Sequence, residues 1–165
     1  SLFTTEDSQK ITRTLAVAIY PEVIPAELQR EHQAIAAGGS MGEVFTRSGW
    51  RLEKENLYFG EIQASPDFDE IYSLMGGIEN TNLAVHVYRL SVCREGSCFV
   101  YATLSEVHHP AYLGLAGLRK IYGGSGIPLV QASEPDRNEN SARSGEHDQD
   151  IQRALNLTLA ALAAH

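Results

Sequence analysis

Two β-rich runs, Leu83–Val92 and Phe99–Val107, stand on either side of Arg94-Glu-Gly-Ser97. With so few residues between them, the runs predict an antiparallel hairpin. This pair constrains the fold more than any other feature of the chain. Around it, the elements follow the order helices, strand pair, helix, strand pair, helices. Strands and helices grouped in that way predict an α+β domain with a single antiparallel β-sheet and helices packed around it, not an alternating parallel architecture.

The flanking segments fill in that plan. Ile11, Leu15 and Ala18/Ile19 recur at helical spacing, which predicts a helix from Thr5 to Tyr20 with Glu6 and Asp7 in its first turn. Pro25 suits the start of a second helix stopped by Gly38-Gly39. Ser40-Met-Gly-Glu43 has capping-box spacing for a third, short helix ending near Gly49. From Trp50 to Gln63 the chain is β-compatible, with Glu55-Asn56 as a hairpin turn or a bulge. Ser65-Pro66-Asp67 reads as the start of a helix with Phe68, Ile71, Leu74 and Met75 on its apolar face. A further short helix is predicted over Leu115–Tyr122. Gln131–Asp150 carries six acidic and two basic residues and almost nothing apolar, which predicts a mobile polar loop over 131–150. Ile151, Leu155, Leu159 and Leu162 mark a closing amphipathic helix over 151–164.

The 165 residues fit a single domain, 1–165. A net charge of -8, with no more than two neighbouring basic residues, argues against a nucleic-acid partner, because phosphate binding gathers several cations on one face. No apolar run approaches the roughly 18 residues of a membrane span. No basic region followed by an apolar core opens the chain, so a cytoplasmic protein without a signal peptide is expected. Two cysteines are too few for a thiolate zinc site. Cys93 and Cys98 flank the hairpin turn, as a cross-strand disulfide if the register sets them opposite, or as two thiols in a reducing compartment.

Chemistry concentrates on the hairpin. Arg89 lies in the apolar run Leu83-Ala-Val-His-Val-Tyr-Arg-Leu, in line with Val85 and Val87. Two placements are open for it: the wet side of a half-exposed strand, or the inward face, where its planar fork needs a carboxylate. Glu106-Val-His108-His109-Pro110 is the second cluster. Glu106 and His108 share a strand face by period two, the geometry of an acid–base pair or of two metal ligands, with His86 as a possible third. A strand-end His-His-Pro is more commonly a turn whose imidazoles cap carbonyls, so neither a metal nor another cofactor is expected.

Three stretches, taken in order, resemble the chorismate lyase family, which removes pyruvate from chorismate to leave 4-hydroxybenzoate. They are Gly39-Ser40-Met41 followed by Phe45 and Gly49; Tyr88-Arg89 through Cys93, Gly96 and Val100-Tyr101-Ala102; and Leu118-Arg-Lys-Ile-Tyr-Gly123 with Pro128-Leu129. The resemblance implies a chorismate lyase-like sheet with a buried ligand pocket. It gives Arg89 the task of holding a substrate carboxylate and Met41 a place in the pocket wall. The family's late-strand glutamate has no counterpart after Leu129, which leaves Glu106 for the catalytic role, with His108 beside it at the substrate. The expected partner is a small carboxylated molecule. The expected function is a lyase of this type or, as the alternative, a non-catalytic ligand-binding domain on the same fold. A weaker likeness, of Glu106-Val-His-His-Pro-Ala-Tyr112 to the His-His-Pro motif of pterin carbinolamine dehydratases, implies a third possibility.

Overall fold

The structure is a computed structural model that describes residues 2–6, 11–64, 74–78, 81–123 and 141–163. Its centre is a five-stranded antiparallel sheet. The strands are β1 (Leu2–Glu6), β2 (Thr12–Ile19), β3 (Arg51–Gln63), β4 (Asn82–Arg94) and β5 (Ser97–His108), in the spatial order β1-β2-β5-β4-β3. A 3-10 turn at Ala26–Leu28 leads into α1 (Gln29–Ala36), and α2 (Met41–Arg47) follows. Helix α3 (Leu115–Tyr122) comes after the sheet, and α4 (Ser141–Ala163) is the last element. The α+β class and the antiparallel sheet are as the sequence predicts.

The β4–β5 hairpin turns on Glu95 and Gly96, both with positive φ (51° and 82°). Two left-handed residues in succession match the twist of the flanking strands, and glycine takes the second place without steric cost. Cys93 and Cys98 are direct cross-strand partners and are joined in a disulfide. Beyond them the pairing slips by one residue: Ser91 faces Val100, but Leu90 faces Ala102, so Tyr101 is a bulge. Strand β3 carries its own bulge at Leu57, next to the Glu55-Asn56 pair where an irregularity was predicted.

Both faces of the sheet are covered. On one, Leu15, Val17, Leu83, Val85, Val87 and Val107 pack with Met75 and Ile78 and with Ala154 of α4. On the other, Tyr88, Leu90, Val92, Tyr101 and Leu104 pack against Leu28, Ile35, Phe45 and Trp50 from the α1–α2 side. This double burial explains the first departure from the sequence reading. Residues 12–19 form a strand, not part of a helix, and pair with both β1 and β5. A strand covered on both sides loses its period-two signal, and the short apolar run then imitates a helical stripe. The β-branched Thr12, Thr14, Val17 and Ile19 are the local trace of the true conformation.

The second departure is at the C-terminal end. Residues 141–150, predicted as part of a polar loop, belong to the 23-residue helix α4. The polarity there belongs to the first turns of a helix whose later part buries Ala154 and Thr158. Residues 131–140, the rest of that predicted loop, lie outside the described residues, as does most of the helix predicted from Ser65. Leu74 and Met75 are helical, and Gly76 and Gly77 follow with positive φ. The predicted boundaries of α2 and α3 agree closely with the structure, although Ser40 at the N-cap of α2 makes no side-chain capping bond. No helix among the described residues is long and apolar enough to cross a membrane.

The disulfide closes a short loop, with a sequence separation of 5. Replacing both cysteines by serine is expected to lower stability by about 2 kcal/mol, the chain-entropy value for so small a ring. Urea unfolding should show an earlier midpoint with an unchanged slope.

Candidate functional site

The α1–α2 connection stands away from the sheet and leaves a cavity of about 480 Å³ beneath it. Its floor is built from four strands: Thr14 and Ala16 of β2, Leu52 and Lys54 of β3, Tyr88 and Leu90 of β4, and Leu104 and Glu106 of β5. Gly38 to Gly42, with Met41 among them, form the rim. The rim depends on its glycines. Gly38 has φ +98°, and a Cβ on Gly39 would lie 2.8 Å from the Ala34 carbonyl oxygen, so a side chain there would push α1 and α2 apart.

At the polar end of the floor is a connected set of side chains. The Tyr88 hydroxyl donates to Glu106 Oε1 at 2.7 Å. The second carboxylate oxygen, Oε2, lies 3.7 Å from His108 Nε2 and 4.0 Å from His86 Nδ1. Neither of these buried nitrogens has a hydrogen-bond partner. His86 and Glu106 are direct cross-strand partners, as are His108 and Thr14, whose Nδ1 and Oγ1 are 3.1 Å apart. The orientation of His86 follows from its neighbours. Asn56 donates its amide to the Tyr122 carbonyl, which turns Asn56 Oδ1 toward His86 Nε2 at 2.9 Å. His86 must therefore donate from Nε2, and in the neutral ring Nδ1 bears only a lone pair. The ring stacks on Phe59 and on Tyr122, with centroids 4.6 and 4.9 Å away.

Lys54 completes the set. Its Nζ lies 4.2 Å from the centroid of the Tyr88 ring and 5.6 Å from that of Tyr122. Among the described residues no carboxylate comes within ion-pairing distance of it. The local field follows. Burial, then Lys54 and His108, lower the His86 pKa to about 4. Burial also lowers that of His108, with Lys54 adding to the effect and Glu106 opposing it. Burial and the Glu106 carboxylate raise the Tyr88 hydroxyl well above its ordinary value, so Tyr88 keeps its proton and donates it.

Of the sequence-predicted site residues, Met41 and Glu106 line the cavity. His108 sits behind Glu106, only 5% exposed. Arg89 is elsewhere. Tyr88 and Leu90 face the cavity, so the residue between them points to the opposite side of the sheet. There its guanidinium meets Glu55 of β3 at 3.2 Å and Asp150 of α4 at 2.9 Å. The carboxylate partners of Arg89 are thus the protein's own, and the expected substrate-holding role does not fit its position. His109, the second histidine of the His-His-Pro turn, is a structural cap. Its Nε2 donates to the Met75 and Gly76 carbonyls, and its Nδ1 accepts the Ala111 N–H. Among the described residues, the close-set metal-capable trio is Glu53, Cys93 and Cys98. Its cysteines are locked in the disulfide, so it offers no cation site.

Lys54 and Tyr88 were not assigned roles from the sequence, and Thr14 was hidden in the mispredicted helix. The available signal was positional: Tyr88 is two residues from His86 and shares its strand face. No family model matches the chain, and a search of curated proteins finds no match.

Two outcomes follow. Unfolded His86 titrates near 6.5, but the folded residue does so near 4. The unfolded state therefore binds more protons between these values, and stability present above pH 6.5 is lost as pH falls toward 4. The loss from this residue is up to about 3 kcal/mol, measurable by chemical denaturation across that range and diminished in His86→Gln. Arg89→Met should lower stability by roughly 1–2 kcal/mol, read as an earlier midpoint in chemical denaturation at constant pH.

Proposed function

We propose that this domain binds a small carboxylated molecule in the cavity over Tyr88, with Lys54 as the carboxylate's partner and Glu106 as the acceptor for a hydroxyl or amine at its other end. The observation that carries the reading is the placing of Lys54. It lines a largely apolar cavity together with Glu106, and among the described residues no carboxylate neutralises it. Lys54 is solvent-accessible at the edge of an apolar floor, and that pairing favours an organic acid over an inorganic ion, because the apolar body of the ligand covers the floor while its carboxylate meets the lysine.

A lyase of the chorismate type is the second reading, supported by Glu106. A carboxylate held by the Tyr88 hydroxyl on one oxygen, and facing the cavity, is positioned for general acid–base work beside a fixed substrate. Among the described residues, the cavity lining contributes one cationic side chain, Lys54, whereas chorismate carries two carboxylates. That count favours binding of a monocarboxylate over turnover of a dicarboxylate. The pterin-dehydratase reading has less support, since His109 is committed to its turn. The Cys93–Cys98 disulfide favours an oxidising compartment over the cytoplasm.

The test has two arms. Calorimetric titration with 4-hydroxybenzoate should show saturable binding, weakened at least about tenfold by Lys54→Met, the scale of one charged hydrogen bond. Incubation with chorismate, followed by pyruvate detection, tests turnover. Release of pyruvate that Glu106→Gln abolishes would establish the lyase, and binding without release establishes the ligand-binding domain. If 4-hydroxybenzoate does not bind, this assignment is wrong.

A further inference from the structure

We propose that carboxylate binding at Lys54 is coupled to proton uptake by the buried histidines behind Glu106, so that the site takes up a small organic acid together with a proton. The proposal rests on the cavity being the ligand site and adds how that site is regulated.

The geometry carries it. His86 Nδ1 and His108 Nε2 approach the same carboxylate oxygen, Glu106 Oε2, and neither has a hydrogen-bond partner. The Asn56–Tyr122 bond fixes the His86 ring so that its bare lone pair is at Nδ1, the nitrogen nearest Glu106. A carboxylate oxygen and a bare imidazole lone pair facing one another are relieved by a proton between them, and the carboxylate would stabilise the resulting imidazolium. Lys54 opposes that proton. Its ammonium lies over the Tyr88 ring, and the same ring is 4.8 Å from His86 and carries the hydroxyl bound to Glu106.

Among the described residues, the other groups facing the trio cannot take over either part. Thr14 from β2 and Asn56 from β3 do not titrate, the Tyr88 hydroxyl is held protonated, and Tyr122 from α3 presents its ring. The rim from Gly38 to Gly42 brings no charge. Burial is the larger influence on the histidines, and Lys54 is the cation that adds to it; it is also the group that a ligand carboxylate would neutralise. Binding removes the opposition, and the trio gains a proton.

The sign follows by linkage. Neutralising Lys54 raises the histidine pKa values in the bound state above those of the free state. Affinity for the carboxylate then increases as pH falls below the bound-state value, and is flat at higher pH. His86 in the free protein titrates near 4 against an ordinary 6.5, which gives the window.

The experiment uses the whole chain and 4-hydroxybenzoate as probe. Calorimetry at about pH 5.5 in buffers of different ionisation heat should report net proton uptake, with affinity roughly two- to fivefold higher than at about pH 7.5. The double variant His86→Gln/His108→Gln should lose both the proton uptake and the pH dependence. Because those substitutions also remove the His86 ring from its stack with Phe59 and Tyr122, a second measurement needs no ligand and no histidine change. NMR titration of the imidazole protons should show the His86 midpoint rising by about 1.5 pH units in Lys54→Met, the rise that a twofold affinity gain at about pH 5.5 requires, with the His108 midpoint rising as well. Binding without pH dependence or proton uptake overturns the coupling and leaves the ligand assignment standing. Unmoved midpoints in Lys54→Met also overturn it. Absence of binding at every pH overturns the ligand assignment and the coupling with it.

Discussion

The register of the β4–β5 hairpin is the constraint on which the rest of the structure depends. The turn at Glu95-Gly96 and the Cys93–Cys98 bridge set the pairing at the tip, and the bulge at Tyr101 shifts it by one residue for the remainder. Since side chains alternate between faces, a shift of one exchanges the faces of everything beyond it. Leu104, Glu106 and His108 reach the α1–α2 side, and Ser105 and Val107 the α4 side, because Tyr101 is extra. Without the bulge, His86 would face a serine and the candidate site would not exist.

The two faces treat charge differently. On the α4 side, Arg89 is held between Glu55 and Asp150, three side chains from three elements tying the last helix to the sheet. Its guanidinium is partly buried and answered by two more exposed carboxylates, an arrangement that offsets the cost of desolvating the arginine. On the cavity side, opposite charges are present but held apart. Lys54 rests on an aromatic face and Glu106 on a tyrosine hydroxyl, with the Tyr88 ring joining them. Charges are thus paired on one face of the sheet and left separate on the other.

Arg89 shows why a motif match and a site can diverge. Its strand, its apolar neighbours and its need for a carboxylate were all legible, and the need is met. What no local pattern revealed was the source of the carboxylate. Asp150 lies 61 residues further along the chain, in a stretch whose composition suggested a loop. A polar segment becomes a helix when its continuation buries a stripe, here Ala154 and Thr158, and that depends on the sheet surface it meets.

The sequence by itself determined the local elements whose signals are short-range: the central hairpin, the helices bounded by Pro25, Gly38-Gly39 and Gly123, and the irregularity in β3. These follow from backbone preferences within a few residues, which the chain expresses without tertiary help. It also placed Glu106 and His108 on a common face. Only the tertiary structure decided that 12–19 is a strand, because both of its faces are buried and the distinguishing alternation is erased. Only it decided where Arg89 finds its carboxylates, because Asp150 comes from α4, 61 residues further along the chain. The joining of Lys54, His86, Tyr88 and Glu106 into one site was likewise a tertiary outcome, since the residues come from three strands whose relative register no single segment encodes.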